Sequence, residues 1–395
     1  RTCLINAVAN STCMLTDIVC VCGNEAISAA ATACTLNSCS IIDGLTTKNI
    51  STTICQEPVR DLSTSYAAAI VAIAIVTDFF VLLRVGYKYF IGQQFWWDDY
   101  LVVLLMLVGI PSVVITTNGT TLNGLGRDVW KLTPTEITNF IYYFYFMEIL
   151  YFIMLTLLKL TLLFFYLKIF PADNVRQLTW VTIGLTTVWG LSFVLIAVFQ
   201  CSPVSYYWTR WDGLHTGTCL NINAIGWANA VISIILDGWM LYIPLWQVLK
   251  LQLTWRRKAG VIAMFVVGAF VTFVSILRLQ SLLNFANSAN PTWDQLLVSL
   301  WSTIEISVGM ICACMPTLRL ILARFLPRVV ETINGSAKSV SDNSTRYRSQ
   351  LGASRVARPF SSESQEAVVR LYSSAGRQSD NFSLIYMTQD GRVVK

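Results

Sequence analysis

The chain has 395 residues, 55% hydrophobic and only 13% charged, which excludes an ordinary soluble domain, where about a quarter of residues carry charge. Its net charge of +6 is spread over loops beside apolar runs, so a nucleic-acid partner is excluded and membrane lipid and cytoplasmic proteins are the expected partners. The composition predicts an all-α, multi-span membrane protein.

Residues 1–57 hold Cys3, Cys13, Cys20, Cys22, Cys34, Cys39 and Cys55, seven of the chain's eleven cysteines. Such density in a short polar segment predicts a disulfide framework formed in an oxidising compartment, with the amino end outside. The odd number leaves one thiol free or paired upstream of Arg1. Asn10-Ser-Thr and Asn49-Ile-Ser are glycosylation sequons, which fit an external module. Residues 58–64 read as a polar linker.

Seven apolar runs follow, at about 66–85, 100–117, 140–163, 178–199, 224–248, 259–282 and 296–318. Each is close to the roughly 20 residues that cross a bilayer as a helix. The third lies within Asn139 to Phe170 and carries Glu148 and Lys159, eleven residues apart and therefore on one face. A helix facing lipid all round would not carry both, so this one is expected at the centre of the bundle. Pro111, Pro244 and Pro316 are kink candidates inside spans. The bundle is expected over 65–322, and 323–395 reads as a largely disordered tail. Its serines beside arginines fit phosphorylation or mere solubility equally.

Charge tests the orientation. With the amino end outside, Arg84, Lys88, Lys168, Arg176, Lys250, Arg256, Arg257, Lys258, Arg319, Arg324 and Arg328 fall inside, and only Arg127, Lys131 and Arg210 fall in outer loops. This is the positive-inside pattern. It agrees with the cysteines and puts the carboxyl end in the cytoplasm of a plasma-membrane protein.

Cys201 and Cys219 flank an outer loop and are expected to pair, holding Tyr207, Trp208 and Trp211 as a lid over the bundle mouth. Cys312 and Cys314 read as ordinary buried thiols. The ionisable residues inside spans are candidates for function because each is expensive unless paired or wetted. Glu148, Arg278 and Glu305 are expected in an outer cluster around Arg278. Lys159 is expected to pair with Asp78 or Asp99 towards the inside, and Asp237 lies between. These groups read either as a ligand pocket above a switch or as static pairs that set helix register. Trp96, Trp97, Asp98 and Asp99 stand where a helix starts, the rings as an interfacial belt and the acids as caps. A contact with a cytoplasmic partner is the alternative there. The basic stretch at 254–258 reads as charge against the inner leaflet, with a coupling surface as the alternative. His215 reads as solvated. No nucleophile–base pair, phosphate loop or metal-spaced group faces the cytoplasm, so no enzyme is expected.

The spacing Cys3-x9-Cys13-x6-Cys20-x-Cys22-x11-Cys34-x4-Cys39-x15-Cys55 resembles the second to eighth cysteines of the fungal CFEM domain. That resemblance implies Cys3–Cys34, Cys13–Cys20 and Cys22–Cys55, with Cys39 left without its upstream partner. In haem-binding members the aspartate at the place of Asp17 is the axial ligand to haem iron; the plain alternative is a helix cap. WWDDY at 96–100, GLGRDVW at 124–130, EILY at 148–151, LLKLTLLFFYLKIF at 157–170 and the Cys201–Cys219 loop are similar to a fungal family of rhodopsin-like integral membrane proteins. Some members have His where this chain has Asp128. Members carrying CFEM are treated as G-protein-coupled-receptor-like surface sensors, which implies an unknown extracellular ligand and a heterotrimeric G protein as partners. The last run has no lysine for a Schiff base, so no retinal is expected. An Asp-Arg-Tyr after the third run and an Asn-Pro-x-x-Tyr in the last are absent too, so G-protein coupling rests on family and topology. Two other readings stand beside the sensor. One is a haem- or iron-handling surface protein with the bundle as anchor or conduit; the other is a transporter, without visible repeats.

Overall fold

The structure, a computed structural model, describes residues 2–325 apart from 15, 171, 251–254 and 287, together with Tyr386–Met387 and Val393–Val394. These last two pairs form a small antiparallel ribbon within a separate unit, Arg328–Lys395. Of the 254–258 stretch, 255–258 form the start of helix Trp255–Ala286, while the expectations for its side chains and for the tail otherwise lie outside the described residues.

The amino-terminal module packs α1 (Thr2–Ala9), α2 (Ile18–Gly23), α3 (Glu25–Ser38) and α4 (Ile41–Ile54). Asp17, Asn24 and Ser40 start the last three, each side chain accepting an N–H of the first turn. Its core is little more than Ala7, Val8, Cys13 and Ile27. So small a core does not hold a domain, and disulfides Cys3–Cys34, Cys13–Cys20 and Cys22–Cys55 close the module around it. Cys39 is a free, exposed thiol. Asn10 is exposed just beyond α1, whereas Asn49 is half-buried inside α4.

The bundle comprises α5 (Ser63–Ile91), α6 (Trp97–Val114) with a π-helical continuation (Ile115–Thr120), α7 (Pro134–Ile169), α8 (Asp173–Val198), a short α9 (Tyr206–Thr209), α10 (Ile222–Lys250), α11 (Trp255–Ala286) and α12 (Pro291–Phe325). Among the described residues seven helices are long and apolar enough to cross a membrane, one for each predicted run. Most begin earlier than the apolar runs, because capping sequences carry the helix into the polar ends. In Thr133-Pro-Thr-Glu136 the Glu136 carboxylate accepts from Thr133 N–H at 2.7 Å, and Pro134 occupies the first turn. That box starts α7 several residues before its apolar stretch.

Leu62 and Thr292, at the starts of α5 and α12, meet at the module end, and Arg84 of α5 reaches Ala313 of α12 at the other. The chain therefore leaves the bundle at the end opposite the module. Helix α7 is the axis, as its paired charges predicted. Its Met154, Leu155 and Leu158 share one core with Val81 of α5, Val102 and Leu105 of α6, Trp189 of α8 and Met310 of α12. Two glycines allow this closeness: a Cβ on Gly190 would overlap Thr156, and one on Gly309 would lie 2.5 Å from Leu158 Cδ2. Lipid-side apolar residues such as Trp180, Leu185 and Leu191 of α8 remain exposed, as expected where no water needs to be excluded.

Candidate functional site

At the module end the bundle encloses a cavity of about 190 Å³, reaching from Tyr66 and Gln295 near the helix starts down to Asp78, Met106 and Met310. Phe144, Phe152 and Trp227 are among its lining residues, and polar groups come from four helices: Asp78, Glu148, Asn229 and Arg278. Such a mostly apolar pocket with a few convergent polar groups is the usual form of a small-molecule site. The π-helical turn after Pro111 widens α6 beside it and places Thr116 on its wall.

Glu148 and Arg278 both face the cavity, but they do not pair. Glu148 Oε2 accepts from Gln200 Nε2 at 2.9 Å and from Tyr207 OH at 3.2 Å. Arg278 pairs instead with Glu305, Nε to Oε2 at 2.9 Å, while Tyr151 OH and Ser275 Oγ donate to the same carboxylate at 3.0 and 2.5 Å. The outer cluster is thus two separate groups, since Glu148 lies on the face of α7 turned to the outer loop. That loop is closed by Cys201–Cys219, which also sit opposite each other in a two-residue strand pair, β1 (Cys201–Ser202) with β2 (Thr218–Cys219). It is seated on α7: Trp208 stacks edge-on against Tyr142 at 5.1 Å, and Trp211 Nε1 donates to Thr138 Oγ1 at 3.0 Å. His215 is exposed, 3.2 Å from Asp212, whose carboxyl is held below its ordinary range chiefly by the Leu214 N–H.

One layer deeper, Lys159 is buried and joins Asp237 of α10, with Ser233 O as a second acceptor at 3.3 Å. The expected pairing with Asp78 or Asp99 is corrected: α7 turns Lys159 towards α10, Asp78 halfway along α5 faces the cavity, and Asp99 is taken by nearer cations. A second cavity of about 40 Å³ is lined by Lys159, Asp237 and Glu305, so the two ion pairs border one space.

At the far end Arg84 and Lys88, four residues apart on one face of α5, meet Asp98 and Asp99 in the first turn of α6. Asp99 accepts from Arg84 Nη2 at 2.8 Å, Lys88 Nζ at 2.5 Å and Trp96 N–H at 3.0 Å; Asp98 accepts from Arg84 at 2.5 Å, and Arg84 also donates to Ala313 O. All four side chains are buried. Asp99 does cap α6, as the sequence suggested. Its larger role is to neutralise two buried cations, which ties α5, α6 and α12 together.

Residues 83–324 match the fungal rhodopsin domain and residues 1–56 the CFEM domain. The chain belongs to the fungal rhodopsin domain family. It is 30% identical over 231 residues to a SAT4 family membrane protein of Emericella nidulans, covering 58% of each chain. It is 26% identical over 171 residues to satratoxin biosynthesis SC1 cluster protein 4 of Stachybotrys chartarum (43% of this chain, 60% of that one). With receptor GIN3 of Arthrobotrys oligospora the identity is 23% over 208 residues (53% and 49%). The chain spans about half to three fifths of the length of these curated relatives. No solved structure matches it.

In this fungal rhodopsin domain protein the GLGRDVW stretch does what its sequence did not announce. Gly126, at φ +83°, accepts from Leu62 N–H at 3.1 Å and donates to Thr292 O at 3.0 Å, binding the starts of α5 and α12. Buried Asp128 accepts from Arg60 Nη2 at 2.5 Å and Asn290 Nδ2 at 2.8 Å. Trp130 and Lys131 then carry the module: Lys48 lies 5.4 Å over the Trp130 ring, Lys131 Nζ donates to Thr53 Oγ1 at 3.2 Å, and Leu45 packs with Val129 and Leu132. Asp128→Asn is expected to loosen the linker by about 1–3 kcal/mol, the cost of a lost charged hydrogen-bond partner. Faster proteolysis within 57–62 in the variant, with α7 unchanged, is the measurement; an unchanged rate would show that the loop does not hold the module.

Proposed function

We propose that this protein is a plasma-membrane sensor of the G-protein-coupled-receptor kind rather than an enzyme. In this reading the module faces outside, the chain leaves the bundle into the cytoplasm, and an extracellular ligand acts through a heterotrimeric G protein. The observation that carries the reading is the cavity at the module end, lined by Arg278, whose partner Glu305 lines the deeper space beside Lys159 and Asp237. A ligand that displaces Arg278 moves charge next to Lys159, and buried ion pairs have discrete alternatives rather than graded ones. The charge bias of the loops supports the orientation, and the printed name of receptor GIN3 supports the class. Between Pro291 and Leu318 α12 has no lysine, so the ligand is not retinal held as a Schiff base. Terminal epitope tags on intact cells and a nucleotide-exchange assay with co-expressed G proteins test the proposal. Opposite accessibility of the tags and exchange stimulated by growth extracts are expected; tags on one side, or no exchange with any extract, would overturn it.

A second reading is a haem-binding surface module. Asp17 is exposed, it commits Oδ1 to the Cys20 N–H at 3.1 Å, and its neighbours Met14, Ile18 and Val19 are apolar and exposed. A carboxylate amid exposed apolar side chains fits haem: Asp17 would hold the iron and the apolar residues would bind the ring by exclusion of water. Spectral titration of the full chain with haem is expected to give an Asp17-dependent change. A spectrum unaltered by Asp17→Ala removes this reading.

A further inference from the structure

The membrane-buried charges almost balance. Arg84 and Lys88 are neutralised by Asp98 and Asp99, Lys159 by Asp237 and Arg278 by Glu305. Two acids are left over, Asp78 and Glu148, and both line the cavity at the module end. Glu148 has the donors Gln200 and Tyr207 but no ion pair, and Asp78 has no hydrogen bond or ion pair among the described residues. A carboxylate without water or a partner costs several kcal/mol at such depth.

A second observation points the same way. Asn229 of α10 is 1% exposed and lines the cavity with neither amide atom partnered, and Gln295 of α12, 4% exposed, lines it with Oε1 unpartnered. The cavity therefore offers unused acceptors along its length: Gln295 Oε1 at the module end, Asn229 Oδ1, and the Asp78 carboxylate at the far end. An ammonium group donates hydrogen bonds and accepts none, and aromatic residues such as Phe144, Phe152 and Trp227 in the lining favour a cation. An anion would meet two carboxylates; the unpartnered Arg278 Nη2 does not offset this, because Glu305 already neutralises that side chain.

From this we infer that the cavity takes an amphipathic organic cation, its positive nitrogen against Asp78 and its apolar body among the rings. The inference rests on the sensor reading only in taking this cavity as the ligand site. The test uses the full chain in lipid nanodiscs with one scaffold in three charge states: phenylpropylamine, phenylpropanamide and phenylpropanoate. At millimolar concentration the amine is expected to raise the unfolding temperature, the amide less and the acid not at all. Asp78→Asn is expected to weaken amine binding by about thirtyfold while leaving the fold intact, since Asp78 holds no other residue. Equal shifts from all three compounds, no shift from the amine, or undiminished amine binding by the variant would overturn the inference. Nucleotide exchange is read separately: amine binding without exchange sinks the sensor reading and leaves the ligand class standing. Exchange without amine binding does the reverse.

Discussion

Asp99→Asn is expected to destabilise the bundle by about 3–5 kcal/mol, the cost of breaking a buried charge cluster from one side. Asp99 is 1% exposed and is the only acid that touches both Arg84 and Lys88 among the described residues. Without its charge, Lys88 loses its partner and Arg84 keeps only Asp98 and the Ala313 carbonyl. The asparagine amide fills the volume but brings N–H donors to a place where donors already crowd. Asp98→Asn is expected to cost less, since Asp98 meets Arg84 through one oxygen and its other oxygen, Oδ1, is unpartnered. Denaturant titration in detergent, followed by tryptophan fluorescence, measures both. If Asp99→Asn proved no more harmful than Asp98→Asn, the cluster would not hold α5 to α6 as described.

The second large effect is expected at Lys159. Lys159→Met leaves Asp237 buried with only one of its oxygens formerly engaged, and a loss of about 3–5 kcal/mol follows. Adding Asp237→Leu removes the stranded charge, and the double variant is expected to regain most of that loss, because a buried ion pair is worth little more than a well-packed apolar pair. The cycle separates stability from use. If the pair is the moving part of a sensor, the double variant folds and reaches the surface but gives no ligand-dependent nucleotide exchange. A double variant that both folds and exchanges normally would reduce the pair to a register lock.

How much of this was legible beforehand depends on whether a property is local. The start of α7 could be read from Thr133-Pro-Thr-Glu136, because a capping box satisfies its own N–H groups within one turn. The central place of α7 could be read from Glu148 and Lys159, since lipid would not accept both. Their partners could not. Lys159 sits one residue from Leu158, which packs towards other spans, and a rotation of α7 by a quarter turn would exchange α10 for another helix. Asp78 was offered to Lys159 for the same reason: depth along a helix was visible, the direction it faced was not. In the WWDDY stretch the acids read as a cap, while Arg84 and Lys88 read as loop charge, although their spacing of four already set them on one face.

The sequence by itself determined that seven lipid-spanning helices follow a cross-linked cap, which of them is central, and, through its capping box, where α7 begins. These follow from transfer of apolar length into a bilayer and from hydrogen bonds closed within a turn, neither of which needs a neighbour. Only the tertiary structure decided who pairs with whom: Lys159 with Asp237, Arg278 with Glu305, Asp99 with two cations, and, among the described residues, Asp78 and Glu148 with no cation. Those choices depend on how each rod is rotated about its axis. That rotation is set by interlocking side chains such as Gly190 on Thr156 and Gly309 on Leu158, which no single helix carries in its own pattern.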